Sequence, residues 1–358
     1  MALTRITLSN VRNHAATALD DPRAINLLLG PNGAGKTNVL EALSLLAPGR
    51  GLRRAAIADI ARMSGGGGFS IGASLAGEGE VRLGTYSDPA QPGRRRVRIN
   101  GAETSATTLG EWLSVSWLTP AMDGLFMASP GERRRYLDRL ALALDPAHAA
   151  HASRYAAALA ERNRLLGDVR APDARWLDAV ETQMTASGAA LTQGRAALVD
   201  ALMAEIVRHA EAPFPRPALT YVPGGPLGGD QLSQALHDGR ARDRAAGRTL
   251  AGPHRDDLEV VYAAQRMPAS ASSTGEQKAL LIAITLAHAA LAAKGRPALL
   301  LLDEVAAHLD PQRRAALFER LSDSRTQVWV TGTEMAPFAA LAGRAAAWTI
   351  AEGAATPL

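Results

Sequence analysis

Apolar and polar residues alternate at the start of the chain, in LTRITLSNV, with the period of two that predicts a half-buried β-strand. INLLLG (25–30) is instead a continuous apolar run closed by glycine, as expected of a strand buried on both faces. Directly after it, TNVLEALSLLA carries Val39, Leu40, Leu43 and Leu46 at helical spacing. Beyond a glycine-rich loop at 65–68, FSIGASLAG, EVRLGTYS and RRVRING alternate like strands of an antiparallel sheet, and Asn100-Gly101 marks a hairpin turn.

From about Pro120 the period changes. SPGERRRYLDRLALALD opens with a Ser-Pro start signal and places Tyr136, Leu137, Leu140 and Leu144 on one helical side. Alanine-rich amphipathic stretches continue to about residue 211, broken near GDVRAPDAR, which predicts an antiparallel helical arm. The Pro/Gly-rich segment 212–229 reads as a boundary before strands return around DLEVVYAA. Near the end, RPALLLLDEVAAHLDP and RTQVWVTGT each hold a buried strand. The expected fold class is α/β: a mixed-sheet core with an antiparallel β lobe, assembled from 1–118 and 246–358, with an α-helical arm inserted at 119–245.

Composition changes this picture little. At 358 residues, 47% hydrophobic and 21% charged, the chain has the balance of a soluble globular protein. A net charge of +4 permits an anionic partner without requiring one. The absence of cysteine excludes disulfides and cysteinyl metal sites. MALTRITLSNVRN lacks the apolar core of a signal peptide, and ALLIAITLAHAALAA (279–293) is too short to span a bilayer, so a cytoplasmic location is expected. Lysine occurs only at Lys36, Lys278 and Lys294, and arginine takes the other basic positions.

One of those lysines stands in GPNGAGKTN, which fits the phosphate-loop pattern G-x-x-x-x-G-K-[ST] between a predicted strand and helix. Gly30, Pro31, Asn32, Gly33, Ala34, Gly35, Lys36, Thr37 and Asn38 are the candidate nucleotide-binding residues. The glycines allow backbone N–H groups to face a phosphate at a helix N-terminus, Lys36 suits the β/γ-phosphates, and the Thr37 hydroxyl suits Mg2+. LLLLDE supplies two acids at a strand end: Asp303 for the Mg2+ shell and Glu304 to orient an attacking water. The candidate catalytic residues are therefore Glu304 and Lys36, with ATP and Mg2+ as cofactors. SSTGEQK (272–278) is a second Ser/Gly turn running into a helix. Ser273 or Thr274 with Glu276 would cap that helix on its own account, and the same serine and Gly275 also suit an anion at the helix end.

With these three segments in order, the chain resembles the ABC-type ATPase superfamily, whose signature turn closes over the nucleotide held by another subunit. That resemblance implies that Ser273, Thr274, Gly275 and Glu276 act in trans, that Asp310 of AAHLD is a D-loop residue, and that an ATP-dependent homodimer forms. Adding GPHRDDL (252–258), SPGERRRYLD and VTGT, the chain resembles more narrowly the RecF family of bacterial recombination-mediator ATPases, which is similar to SMC heads with a short arm. This implies an ABC-type P-loop ATPase head, slow DNA-stimulated ATP hydrolysis, and binding to double-stranded and gapped DNA in recombinational repair and replication-gap processing. It also implies a place in the SOS response, and RecR and RecO as partners in loading RecA. TPAMDGL (119–125) departs from the family pattern, leaving Asp123 as the candidate acid, and no glutamine marks a Q-loop. Thr331–Thr333 occupy the histidine-switch position, with His288 and His308 elsewhere.

DNA contacts rest on the basic clusters GRGLRR, GRRRVR and ERRRYLDR, giving Arg53, Arg54, Arg94, Arg95, Arg96, Arg133 and Arg134 as candidates. Solvated faces would carry the same residues in an arginine-rich chain. Three other readings compete. A transporter ATPase subunit would place phosphate loop and signature closer together. A clamp could bind ATP without turnover. A nuclease fusion would need a further acidic metal-binding domain.

Overall fold

The computed structural model describes residues 2–358 apart from 78, 169, 171–172, 210–211 and 307–308. The chain begins with β1 (Leu3–Val11), β2 (His14–Asp20), β3 (Ile25–Leu29), α1 (Lys36–Ser44), β4 (Phe69–Leu75), β5 (Val81–Asp88), β6 (Gln91–Ile99), β7 (Ala102–Thr104), α2 (Leu109–Trp112) and β8 (Ser114–Leu118). Its middle holds α3 (Pro130–Leu144), α4 (His148–Leu166), α5 (Ala174–Val207), β9 (Pro217–Val222), α6 (Gly229–Asp238), α7 (Arg240–Ala246), β10 (Asp257–Tyr262) and β11 (Met267–Pro268). It closes with α8 (Thr274–Ala292), β12 (Ala298–Leu302), α9 (Pro311–Ser322), β13 (Gln327–Gly332), β14 (Ala345–Ala351) and β15 (Ala354–Pro357). Among the described residues no helix is long and apolar enough to cross a membrane.

Two compact units result. One comprises Met1–Asp123, His209–Pro215 and Lys278–Leu358; the other comprises Gly124–Arg208 and Arg216–Gln277, running past the boundary expected at residue 245. The first contains an antiparallel sheet in the order β2-β1-β4-β5-β6-β7 and a mixed sheet in the order β15-β14-β3-β13-β12-β8. In the mixed sheet β14, β3, β13, β12 and β8 are mutually parallel, and only β15 runs against its neighbour. Every residue of β3, β12 and β8 is buried, which is why β3 and β12 read as largely apolar runs, whereas β8 buries Ser114 and Ser116 as well. One core cluster joins Leu3, Ile6 and Leu8 of the first sheet, Val39, Leu40 and Leu43 of α1, and Leu28, Leu299 and Leu301 of the second. The stacked rings of Trp329 and Trp348, 5.7 Å apart, belong to it.

The register of the parallel strands fixes where chemistry can occur. Leu118, Leu302 and Val330 lie abreast on β8, β12 and β13, and Leu29 pairs with Gly332. The carboxyl ends of four strands therefore share one edge, the usual ligand side of an α/β sheet.

The second unit is built on the helical hairpin of α4 and α5, packed through Tyr155, Leu165, Leu177, Val180 and Met184 with Leu232 and Leu236 of α6. Two buried charged centres inside it are paired. The fully buried Arg162 donates to Glu181 (2.9 Å), Asp243 (2.7 Å), Thr249 (2.8 Å) and the Leu236 carbonyl (2.8 Å). Asp256 of GPHRDDL accepts from Arg195 (2.7 Å), from the Tyr221 hydroxyl, and from the Gly224 N–H (2.8 Å). The segment 212–229 corrects the sequence reading: it contains β9, which pairs antiparallel with β10. Prolines and glycines at both its ends hide a six-residue strand that alternates only weakly.

Candidate nucleotide site

The phosphate loop leaves β3 at Gly30 and enters α1 at Lys36. Two glycines are demanded by the chain's own packing. A Cβ at Gly30 would lie 2.2 Å from the Ile350 carbonyl, and one at Gly35, where φ is 114°, would lie 2.6 Å from Asn13 Oδ1. Asn13 braces the loop by donating to the Ala34 carbonyl (2.9 Å) and accepting from Asn38 (2.7 Å). His14 Nε2 meets the Gly35 carbonyl at 3.1 Å. These two residues were not singled out from sequence, where RNH reads only as the end of an amphipathic strand.

The Lys36 ammonium donates to the Gly30 carbonyl (2.7 Å) and the Pro31 carbonyl (2.9 Å), leaving one hydrogen for an anionic ligand. Burial lowers its pKa, and the negative charges of Glu304 and Asp303 oppose that. Across the strand ends, Thr37 Oγ1 donates to Asp303 Oδ1 at 3.0 Å. Thr331 Oγ1 donates to the same oxygen at 2.9 Å and accepts the Glu304 N–H at 2.8 Å. Burial pushes the Asp303 carboxyl up, the two hydroxyls pull it down, and Glu304 adds a further upward push. A hydroxyl and a carboxylate in contact form a hard-oxygen donor pair, which fits Mg2+. That ion takes one or two protein oxygens and completes its shell with water and phosphate. Lys36, Thr37, Asp303 and Glu304 thus come together.

The remaining candidates lie elsewhere. Ser273, Thr274 and Gly275 are exposed at the start of α8. Ser273 and Glu276 form a reciprocal capping box: the Ser273 N–H and hydroxyl donate to Glu276 (2.9 and 2.8 Å), and the Glu276 N–H returns to Ser273 Oγ (3.4 Å). Among the described residues, nothing beyond its flanking residues and its own helix backbone lies within 4 Å of a Cβ built at Gly275. Asp310 caps α9 through the Arg313 N–H at 2.9 Å. Asp123 pairs with the buried Lys278 at 3.4 Å. His288 is buried against Ser116, and His308 lies outside the described residues.

The seven arginines divide. Arg95 donates to Thr85 Oγ1 and to the carbonyls of Leu45, Ala47 and Gly49, so it caps the C-terminal end of α1; burial draws its pKa down to about 10. Arg53 bonds Asn38 (2.7 Å) and Glu41, Arg96 faces Glu103, Arg133 pairs with Asp257 (2.6 Å), and Arg134 donates to the Asp256 carbonyl (2.6 Å). Arg54 and Arg94 are exposed, and no hydrogen bond or ion pair within the described residues holds either.

Comparison with known proteins follows the same lines. The RecF/RecN/SMC N-terminal domain family matches residues 2–342. The DNA replication and repair protein RecF of Mesorhizobium japonicum is 49% identical, covering 99% of this chain and 97% of that one. RecF of Rhizobium leguminosarum bv. trifolii is 45% identical, covering 99% and 98%. Among solved structures, that of the recombination mediator protein RecF-ATP in the RecFOR pathway superposes with a TM-score of 0.86 at 21% identity, over 100% of this chain and 97% of that one. An Smc head domain from Pyrococcus furiosus gives 0.54 at 15% identity, over 100% and 96%. The head fold expected from the motifs is thus observed, and the chain belongs to the RecF family of the RecF/RecN/SMC class.

Proposed function

We propose that the chain is an ATP-driven DNA clamp of recombinational repair. ATP and Mg2+ bind at the 30–38 loop, two copies close around two nucleotides, and the closed dimer holds double-stranded DNA near a single-strand gap. Hydrolysis reopens it, and the closed state works with RecR and RecO in the cytoplasm to load RecA. The observation that carries this reading is the bond from Thr37 to Asp303, which joins phosphate loop and acidic strand across 266 residues of sequence.

Within the site, backbone N–H groups of the loop and the Lys36 ammonium hold the phosphates. Thr37 and Asp303 would hold Mg2+, which when bound neutralises charge on the β- and γ-phosphate oxygens. Glu304 orients the attacking water. The trans role of 273–276 is supported by Gly275. Among the described residues, neither backbone strain nor a neighbour outside its own helix requires glycine here. A surface that must accept a triphosphate from another copy does require it.

Sedimentation velocity on Glu304→Gln, with and without Mg·ATP, tests the reading. A dimer dependent on ATP is expected, and Ser273→Arg should abolish it. Gly275→Asp is the sharper variant: it points a carboxylate into open space, leaves the capping box intact, and should keep the melting temperature while losing the dimer. A monomer with ATP demonstrably bound sinks the trans role. A dimer that binds DNA but shows no turnover in the wild-type chain favours the clamp without hydrolysis.

A further inference from the structure

We infer that Thr331 is a positioning residue for both catalytic-site acids, an inference that rests on the ATPase reading above. Thr331 is the penultimate residue of β13, a strand whose preceding residues Val328, Trp329 and Val330 are apolar and buried. Its own exposure is 1%. A hydroxyl at such a position is costly unless its hydrogen bonds are made, and here it makes two, to the two consecutive residues that follow β12. Its hydrogen goes to Asp303 Oδ1 and its oxygen accepts the Glu304 N–H, at 2.9 and 2.8 Å.

These contacts act at the point where the backbone leaves its ordinary range. Glu304 has φ 53°, in the left-handed region that disfavours any residue with a side chain. The turn sets where the Glu304 side chain starts, and the Thr331 oxygen is the acceptor for its N–H. Asp303 Oδ1 receives hydroxyl hydrogens from two sides, Thr37 of the phosphate loop and Thr331 of β13. A single hydroxyl therefore fixes the rotamer of one acid and the backbone of the next. Thr331, one of the three residues at the expected histidine-switch position, reaches the acids of its own chain.

The consequence is a division between binding and turnover. Thr331 bonds the two acids rather than the 30–38 loop, so Thr331→Val should raise KM for ATP by less than it lowers kcat. It should lower kcat by about ten- to a hundredfold, the scale set by small misplacements of catalytic groups. Thr331→Ser keeps the hydroxyl and should return kcat to within about threefold. Thr331→Cys, close to serine in shape and weaker as donor and acceptor, should fall with valine.

A second measurement needs no nucleotide: hydrogen exchange at the Glu304 amide in the ligand-free protein should speed up at least tenfold in Thr331→Val and not in Thr331→Ser. Equal exchange in the two variants, or a kcat for Thr331→Ser as low as for Thr331→Cys, overturns the inference. Should valine prevent folding, the serine–cysteine comparison decides alone. A wild-type chain without ATP turnover defeats the ATPase reading, while the exchange comparison still decides whether Thr331 holds the Glu304 backbone.

Discussion

At the scale of single residues, the same residue type does opposite work a step apart along one strand. Arg94 is exposed and held by nothing within the described residues, whereas Arg95 is committed to three backbone carbonyls at the end of α1. Sequence could not separate them, because GRRRVR offers only like charges. The structure separates them by the alternation of the strand: Arg95 turns under the sheet toward α1. For DNA binding this gives a clear contrast. Arg54→Ala with Arg94→Ala should weaken duplex binding at all sequences and flatten its salt dependence by about one unit of slope per arginine lost, without changing the melting temperature. Arg95→Ala should lower the melting temperature, since the carbonyls of Leu45, Ala47 and Gly49 lose their donor. Fluorescence anisotropy across a salt series, paired with thermal melts, checks both. The phosphate loop and DE pair were legible for the converse reason: glycine, lysine and adjacent acids at fixed spacing are rare outside their chemistry.

At the scale of elements, strands and helices were legible wherever burial imposes a clean period. β3 and β12 show as apolar runs because both faces are covered, and β4–β6 alternate because one face is open. β9 was missed because turn residues flank it closely, and its pairing with β10 is a tertiary fact. The helical hairpin was legible as an arm, but its internal ion cluster was not. Arg162 sits near the C-terminal end of α4 with nothing local to mark it as buried, and its partners Glu181 and Asp243 come from α5 and α7. Removing that guanidinium takes the buried cation from Asp243 and leaves Glu181 with Arg240 alone. Arg162→Ala should therefore cost about 3–5 kcal/mol, read as an early loss of helical signal in denaturant, with ATP binding retained in the intact part of the melt.

At the scale of the whole molecule, both units carry a histidine whose burial disfavours its charged form. In the second, His254 accepts at Nδ1 from the Tyr155 hydroxyl (2.8 Å) and donates from Nε2 to the Thr249 carbonyl (3.0 Å). Burial lowers its pKa, the Thr249 carbonyl opposes that, and Arg255 and Arg134 on one side and Asp256 on the other add smaller, opposed pushes. In the first, burial lowers His14 against the Gly35 and Gly353 carbonyls. Each binds its proton less tightly folded than unfolded. The unfolded chain therefore gains protons first as pH falls below the ordinary value of 6.5. Stability should be level above about pH 7 and decline steadily below 6.5, before the carboxylates titrate. Denaturant melts from pH 8 to 5 check this, and replacing both histidines by glutamine should flatten the slope in that window.

The order of strands in the mixed sheet has one further consequence. β3, near the start of the chain, lies between β13 and β14, so Asn26 makes its hydrogen bond to the Val328 carbonyl across 302 residues. On a ribosome emitting roughly 5–20 residues per second, the phosphate loop emerges many seconds before either strand that flanks it. The apolar β3 must wait, unpaired, through the synthesis of the entire helical middle. Competence to hold nucleotide therefore waits until β13 and β14 have been made, and a chain released before them carries the loop but not the sheet that shapes it.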